Sequence, residues 1–545
     1  MLDDVESAGP ASGAVSTARS SATVAVWTLA SRVTGLLRVL VIGAVLGPTY
    51  FANIFQAGYV LPSNVFTVMA GPVLGMVVVP AVVGALSVHG VGRAAQLLSR
   101  IAGRLLALAG LCAVALVLLS PLLAWTLVFE VPAPERARAW LLTVVLILFV
   151  APQVVLYTVT ALGAAAQQGR QRFALAAAAP AVESLGTIAT VLVAVVVFRP
   201  GVQLGQAPLA VMILLGVGST GSVALHAGLQ CYGAFRAGVF ALPSRGWRGD
   251  GEASEALRRI VRSIPVAACP ALSNYGLTVV AATVPGGVLV VQLSYQVFYA
   301  LSFVGARAVS MAALPGLAEA AARGDQRRFA AAWRQGLFYA VVAAVPSLCL
   351  LAVFAGPTAQ LLANGELRHA TLINTLASCL AVAAFAQLAG GIHDYSRQAL
   401  FARLDDRGPR IASCTGLMSS VSVAASTLLL SSYDNRLTGL IVAILAGEIT
   451  AATTALARLR RAIHPEPMID RANAYPASIA TAAMLAVIAI GWWLLRTVEL
   501  NRLAQLPFLM VTGALALAVF VLTLRHLTPK TPHKPPKAMP PAPHQ

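Results

Sequence analysis

Apolar stretches of about 20 residues, each long enough to cross a ~30 Å hydrocarbon layer, recur from one end of the chain to the other. Glycine, proline and clusters of charge punctuate them. The pattern predicts fourteen membrane spans, near residues 23–47, 53–86, 103–129, 139–165, 173–198, 207–235, 263–283, 288–317, 335–355, 371–392, 411–431, 437–457, 474–495 and 503–524. No separate soluble domain fits between them, so the expected fold class is an all-α polytopic membrane protein. Composition agrees: of 545 residues 58% are hydrophobic and 11% charged, and the mean hydropathy is +0.80, far above that of soluble domains.

Charge adds a direction. Lys and Arg accumulate in short cytoplasmic loops; here 27 of the 38 lie in or beside the loops after even-numbered spans and in the C-terminal tail, against 7 in the alternate loops. An extra or missing span would scramble that split, so it predicts an even count with both termini cytoplasmic. Topology and anionic lipid explain the net charge of +18. The largest basic loop, 236–262, is diluted by Asp250, Glu252 and Glu255, and no nucleic-acid partner is expected. Residues 1–20 read as a disordered cytoplasmic tail and not a cleaved signal, and the Pro-rich segment 526–545 as a second such tail. Between them the expected units are a first lobe (21–238, spans 1–6), a cytoplasmic linker (239–262), a second lobe (263–459, spans 7–12) and two further spans over 474–525.

The two parallel six-helix lobes rest on an internal echo. Aligning Pro80 with Pro315 brings span 2 and its basic exit loop into near register with span 8 and its own, as in transporters built from parallel repeats with a site between them. Span 2 is broken by Pro62, Gly71, Pro72, Gly75 and Pro80. Backbone groups freed at such breaks must face protein or a water-filled cavity, which marks Pro62, Gly71 and Pro72 as gating positions.

Three arginines lie deep within spans: Arg32 and Arg38 in span 1, and Arg307 in span 8. Arginine at mid-membrane costs at least ~2.5 kcal/mol on insertion scales, so a functional or paired role is the default. At 100° per residue Ser31, Thr34 and Arg38 share one stripe of span 1, and Arg32 sits about 120° around. Arg38 is thus placed toward a cavity and Arg32 toward a neighbouring helix. A guanidinium suits phosphate because its planar fork makes bidentate bonds and stays protonated; the alternative is an internal salt bridge, for which Glu183 and Glu448 are the only acids well inside spans. His226 and His393 read as isolated, the six cysteines as small core residues with no metal role, and "GVGSTG" (216–221) as packing glycines. No catalytic constellation is present in the sequence; a transporter is expected, not an enzyme.

"SRVTGLLR" opening span 1, "LPSNVF", "AGPVLG" and "VVVPAV" along span 2, "QGRQRFALAAAAP" before span 5 and "ALPGLAEAAARGDQRRF" after span 8 together resemble the MurJ (MviN) family of lipid II flippases, within the multidrug/oligosaccharidyl-lipid/polysaccharide (MOP) exporter superfamily. The resemblance covers essentially the whole chain. It implies a transporter in the bacterial cytoplasmic (inner) membrane that moves a polyprenyl-pyrophosphate-linked peptidoglycan precursor outward by alternating access. It further implies that the family's span 1 arginines correspond to Arg32 and Arg38. Asn53 stands where span 2 of the family carries an acid, Phe66 where an arginine follows Leu-Pro-Asn, and Gln296 at the family's span 8 arginine. On this reading Arg38, Arg32 and Arg307 meet the anion, and Asn53, Gln292 and Gln296 hydrogen-bond its sugar or peptide. No cofactor is expected. The driving force is a coupling ion, Na+ or H+, or the membrane potential; span 11 offers only hydroxyls, and span 7 Asn274, where the family binds sodium.

Two rival readings follow. One is an exporter of another lipid-linked polysaccharide, or an ion-coupled amphiphile antiporter of the same superfamily. The other is a non-transporting membrane scaffold that recruits cell-wall synthesis or division proteins through its basic loops and tail.

Overall fold

A computed structural model describes residues 10–69, 71–198, 203–240, 242–245, 249–469, 471–498 and 500–528. Every long element among them is an α-helix. The first group is α1 (Pro10–Leu46), α2 (Tyr50–Met69), α3 (Gly71–Leu118), α4 (Ser120–Val128), α5 (Ala133–Val150), α6 (Gln153–Gly169), α7 (Ala174–Phe198) and α8 (Leu209–Arg236). The second is α9 (Gly251–Ala281), α10 (Gly287–Val304), α11 (Ala306–Ala322), α12 (Gln326–Val353), α13 (Ala355–Leu362), α14 (Ala370–Ala402), α15 (Arg407–Leu430) and α16 (Arg436–Ile463). Last come α17 (Arg471–Thr497) and α18 (Arg502–Leu527).

Within the first lobe α1 packs on α7, α3 on α6, and α8 on α5, α6 and α7; within the second, α16 packs on α14 and α15, and α14 on α11 and α12. Helices α17 and α18 pair with each other and dock α17 on α12 around Met484, Ile488 and Phe520. Large apolar side chains stay exposed on the outer surface, among them Leu118, Val196, Leu429 and Leu515. In water such a surface would be a liability; in hydrocarbon it is the solvent-matched face.

Twelve helical segments among the described residues are long and apolar enough to span a bilayer, and α10 with α11, bent by 44°, makes a thirteenth. The fourteen of the sequence pattern are reached when α3 is divided at Gly90, whose φ of 78° breaks the helix. The internal echo is kept in the helices: the offset of 235 that sets Pro80, inside α3, on Pro315, inside α11, also lays α2 along α10.

Two boundaries differ from expectation. Residues 10–20, inside the segment read as a disordered tail, belong to α1. Residues 251–262, assigned to the linker, are the first turns of α9; residues 1–9 and 529–545 lie outside the described residues.

The start of α9 is clamped to the first lobe. Asp250 caps it by accepting from the Glu252 and Ala253 N–H groups, and the same carboxylate takes a bidentate pair from Arg93 (2.8 and 3.1 Å) and a third bond from Arg100 (2.6 Å), both on α3. Burial alone would raise the Asp250 carboxyl. The bonds from Arg93, the Ala253 N–H and Arg100 outweigh it and hold the group below the usual carboxylate range. A depressed acid contributes stability that is complete above its unfolded value, about 3.9, and fades as pH falls through the lower folded value. The clamp is therefore intact near neutrality. Asp250→Ala is expected to cost about 2–4 kcal/mol, from a lost cap and lost charge-assisted bonds, and to release the 251–262 amides to hydrogen exchange; unchanged protection there would contradict the clamp.

Candidate functional site

The two lobes meet at two levels. Toward the face opposite the basic loops they are sealed. The Asn53 amide, at the start of α2, donates to the carbonyls of Ala282 (3.2 Å) and Val284 (2.7 Å) and accepts from the Val288 N–H (3.1 Å). Beside it the Tyr50 hydroxyl donates to the Thr283 carbonyl, and Arg436 of α16 pairs with Glu130 at 2.6 Å. Gly47, at φ 67°, turns the chain between α1 and α2 so closely that a Cβ there would stand 2.8 Å from the Glu366 side chain.

Beyond this seal the lobes part around a cavity of about 440 Å³. Its lining starts at Gln56 on α2, just after the sealing residues, and runs to Thr67 toward the basic-loop end. Both lobes supply walls: Arg38, Tyr59, Tyr157 and Glu183 from the first, Asn274, Gln292, Gln296, Tyr299, His393 and Glu448 from the second. A second hollow, about 470 Å³, lies between the α6–α7 turn and the end of α8, within one lobe only. It cannot be exposed alternately by lobe movement, so the shared cavity is the candidate site.

Among the described residues Arg38 is the one arginine in its wall. Its Nη1 donates to the Tyr59 hydroxyl at 2.6 Å, its guanidinium lies 4.7 Å from the centre of the Tyr59 ring, and Nη1 stands 4.0 Å from Glu183 Oε1. Glu183 is in turn well supplied: the Tyr59 and Tyr157 hydroxyls each donate to Oε1 at 2.9 Å, and His226 Nδ1 lies 2.9 Å from Oε2. The guanidinium is thus held by a carboxylate through a tyrosine, and its Nε has no hydrogen-bond partner. Both sequence alternatives for Arg38, cavity lining and an internal pair with Glu183, are realised together.

The other expected site residues divide. Gln292 and Gln296 line the cavity, and Gln292 Nε2 is buried without a partner. Asn53 does not line it: 2% exposed, its amide is spent on the interlobe seal. Arg32 and Arg307 are exposed and outside the lining, though both act electrostatically on Tyr299 at the cavity wall. Arg32 is turned aside by its 120° offset from Arg38, and Arg307 by the bend at Gly305. Pro62 is buried in α2; Gly71 and Pro72 begin α3, where side chains lie outside the described residues. Phe66 packs against Tyr157, ring centres 6.1 Å apart.

His226 and His393 are not isolated. Each pairs through Nδ1 with a glutamate of its own lobe, Glu183 and Glu448 respectively, the second pair at 2.8 Å. The signal available in the sequence was a histidine and a glutamate in or beside the spans of each half. Two of the three glycines of 216–221 do pack helices: a Cβ on Gly218 would overlap Thr190, and one on Gly216 would lie 2.7 Å from Phe149 Cβ, whereas one on Gly221 would meet nothing within 4 Å.

The family model for the lipid II flippase MurJ matches residues 42–518. The chain belongs to the MurJ family. Among solved structures, a lipid II flippase MurJ in an inward closed conformation aligns with a TM-score of 0.69 over 92% of this chain and 99% of that one, at 15% identity. A MATE-family multidrug resistance transporter of the MOP superfamily, in an inward-facing conformation, follows at 0.60 (14% identity, 79% of this chain and 94% of that one). A MOP superfamily transporter from Pyrococcus furiosus aligns at 0.57 (16% identity, 82% and 95%). No curated protein matches by sequence. At these identities the likeness establishes the fold; the MurJ assignment rests on the family match over most of the chain.

Proposed function

We propose that this protein carries a polyprenyl-pyrophosphate-linked peptidoglycan precursor from the inner to the outer leaflet of the bacterial cytoplasmic membrane. Both termini and the basic loops face the cytoplasm, where Lys and Arg are retained. The observation that carries the reading is an always-charged guanidinium in the wall of a cavity between two lobes, sealed on the outer side. Arg38 binds the pyrophosphate, exchanging its tyrosine-mediated hold on Glu183 for bidentate bonds to phosphate oxygens. Gln56 and Gln292, each with an unpartnered amide atom, and Gln296 beside them in the wall hydrogen-bond sugar. Arg32 and Arg307, outside the cavity, draw the anionic headgroup toward it.

Lobe rocking then breaks the Asn53 and Arg436–Glu130 contacts and closes the cytoplasmic side, so that one site faces each leaflet in turn. Native mass spectrometry in mild detergent tests the specificity. A polyprenyl-pyrophosphate glycan is expected to remain bound where the matching neutral polyprenol dissociates, and Arg38→Gln to remove the difference. Equal retention of both lipids would contradict the reading.

A further inference from the structure

The second lobe holds a carboxylate and imidazole for which anion binding has no use. Glu448 on α16 and His393 on α14 both line the cavity, and His393 Nδ1 lies 2.8 Å from Glu448 Oε2. An ionised carboxylate only accepts, so the imidazole hydrogen sits on Nδ1 and the lone pair on Nε2. That Nε2 is buried and makes no hydrogen bond. The pair therefore carries one negative charge and one vacant proton seat.

The two lobes differ in what balances this charge. Glu183 has Arg38 within 4.0 Å, a cation that does not deprotonate. Glu448 has His393 as its one ion-pair partner among the described residues. The groups facing the pair are few. Helix α10 presents the Tyr295 and Tyr299 phenols, and Cys269 of α9, which lies 3.4 Å from Cys414 of α15, lines the same cavity. Helix α11 reaches it only through Arg307 acting on Tyr299. On α14 itself Asp394 and Arg397 bond each other, and α12 adds no charged partner within 4 Å. Across the cavity stand Arg38, Glu183, Tyr59 and Tyr157.

A metal ion would find little here. Among the described residues no group of three His, Cys, Asp or Glu side chains is placed to hold one, and α15 offers the cavity only the hydroxyls of Ser413 and Ser420. A single proton on Nε2 is enough. It converts carboxylate–imidazole into carboxylate–imidazolium, neutral overall, and so removes the charge that a closing, water-excluding cavity penalises.

We propose that Glu448 and His393 form a proton-binding site that couples lobe movement to a proton gradient, an inference that rests on the transport reading above. With the cavity open outward, a proton from the external water binds Nε2. The neutral pair permits closure and reopening toward the cytoplasm, where the same N–H bond breaks and the proton leaves to water. One proton moves inward for each substrate moved outward, and the gradient supplies the free energy.

The test uses the full chain in two measurements. Without substrate, electron–electron spin distances across the cytoplasmic ends of α2 and α15 are expected to redistribute between pH 8.5 and 5.5 in the wild type. Glu448→Gln and His393→Gln are expected to flatten that response, and His226→Gln to keep it. In proteoliposomes, an external acid pH should raise the wild-type rate several-fold, and Glu448→Gln should retain gradient-independent exchange but lose the stimulation. A full pH response in both second-lobe variants, or none in the wild type, would overturn the proposal. Failure of the wild type to move any lipid-linked anion would instead sink the transport reading, with the spin distances still deciding the proton site.

Discussion

Arg38→Ala is expected to abolish transport, and Arg38→Lys to leave a small fraction of it. Truncating one partner of a buried, hydrogen-bonded charge pair costs about 2–5 kcal/mol of binding, or roughly 30- to 3,000-fold in affinity. Lysine keeps the charge but loses the planar fork that meets two phosphate oxygens at once. The same truncation also threatens the fold. Glu183 would keep Tyr59, Tyr157 and His226 but lose its permanent cation, and breaking a buried pair from one side costs about 3–5 kcal/mol. The double variant Arg38→Ala/Glu183→Gln separates the two effects. It is expected to recover thermal stability in detergent while remaining inactive; recovery of transport as well would show that Arg38 serves packing alone.

The second large effect is expected at the outer seal. Asn53→Ala leaves two carbonyls and one N–H of the 282–288 turn without their partner, a loss of about 1–3 kcal/mol for each group that water does not reach. Because every 1.4 kcal/mol is tenfold in a two-state ratio, the outward-open population should rise by one to two orders of magnitude. A cysteine placed at Gln292, in the cavity wall just beyond the seal, reads this out. In a background free of the native cysteines, a membrane-impermeant maleimide added from outside should label it slowly in the otherwise unaltered chain and much faster with Asn53→Ala, faster still with Arg436→Ala added. Equal rates in all three would mean that these contacts do not hold the outer face.

What the sequence discloses and what it hides follow from the range of the forces involved. Spans, loop polarity and the two-lobe repeat are local or periodic properties, and each needs only its own stretch of sequence. The start of α9 was hidden because its charged first turns look like a loop until Asp250 finds Arg93 and Arg100 on α3. The histidine–glutamate pairs were hidden for a similar reason: His226 meets Glu183 from another helix, 43 residues away, and His393 meets Glu448 across 55.

Asn53 shows the other limit. A polar residue at the head of a broken span points equally to a ligand or to a partner backbone, and only the approach of the 282–288 turn decides between them. Arg32 and Arg38 show that helical phase does carry information. The 120° between them already placed one toward the cavity and the other off it, although Arg32, expected toward a neighbouring helix, is exposed; Arg307 depends on a bend that phase alone does not give.

Transport through Arg38 is read most directly from the rate at which a fluorescent polyprenyl-pyrophosphate glycan crosses the bilayer of proteoliposomes holding the purified chain. Rapid crossing is expected for the wild type, none above protein-free vesicles for Arg38→Ala/Glu183→Gln, and inhibition by an unlabelled pyrophosphate lipid but not by its neutral polyprenol. Crossing that is undiminished in the double variant, or equally inhibited by both lipids, would contradict transport through Arg38.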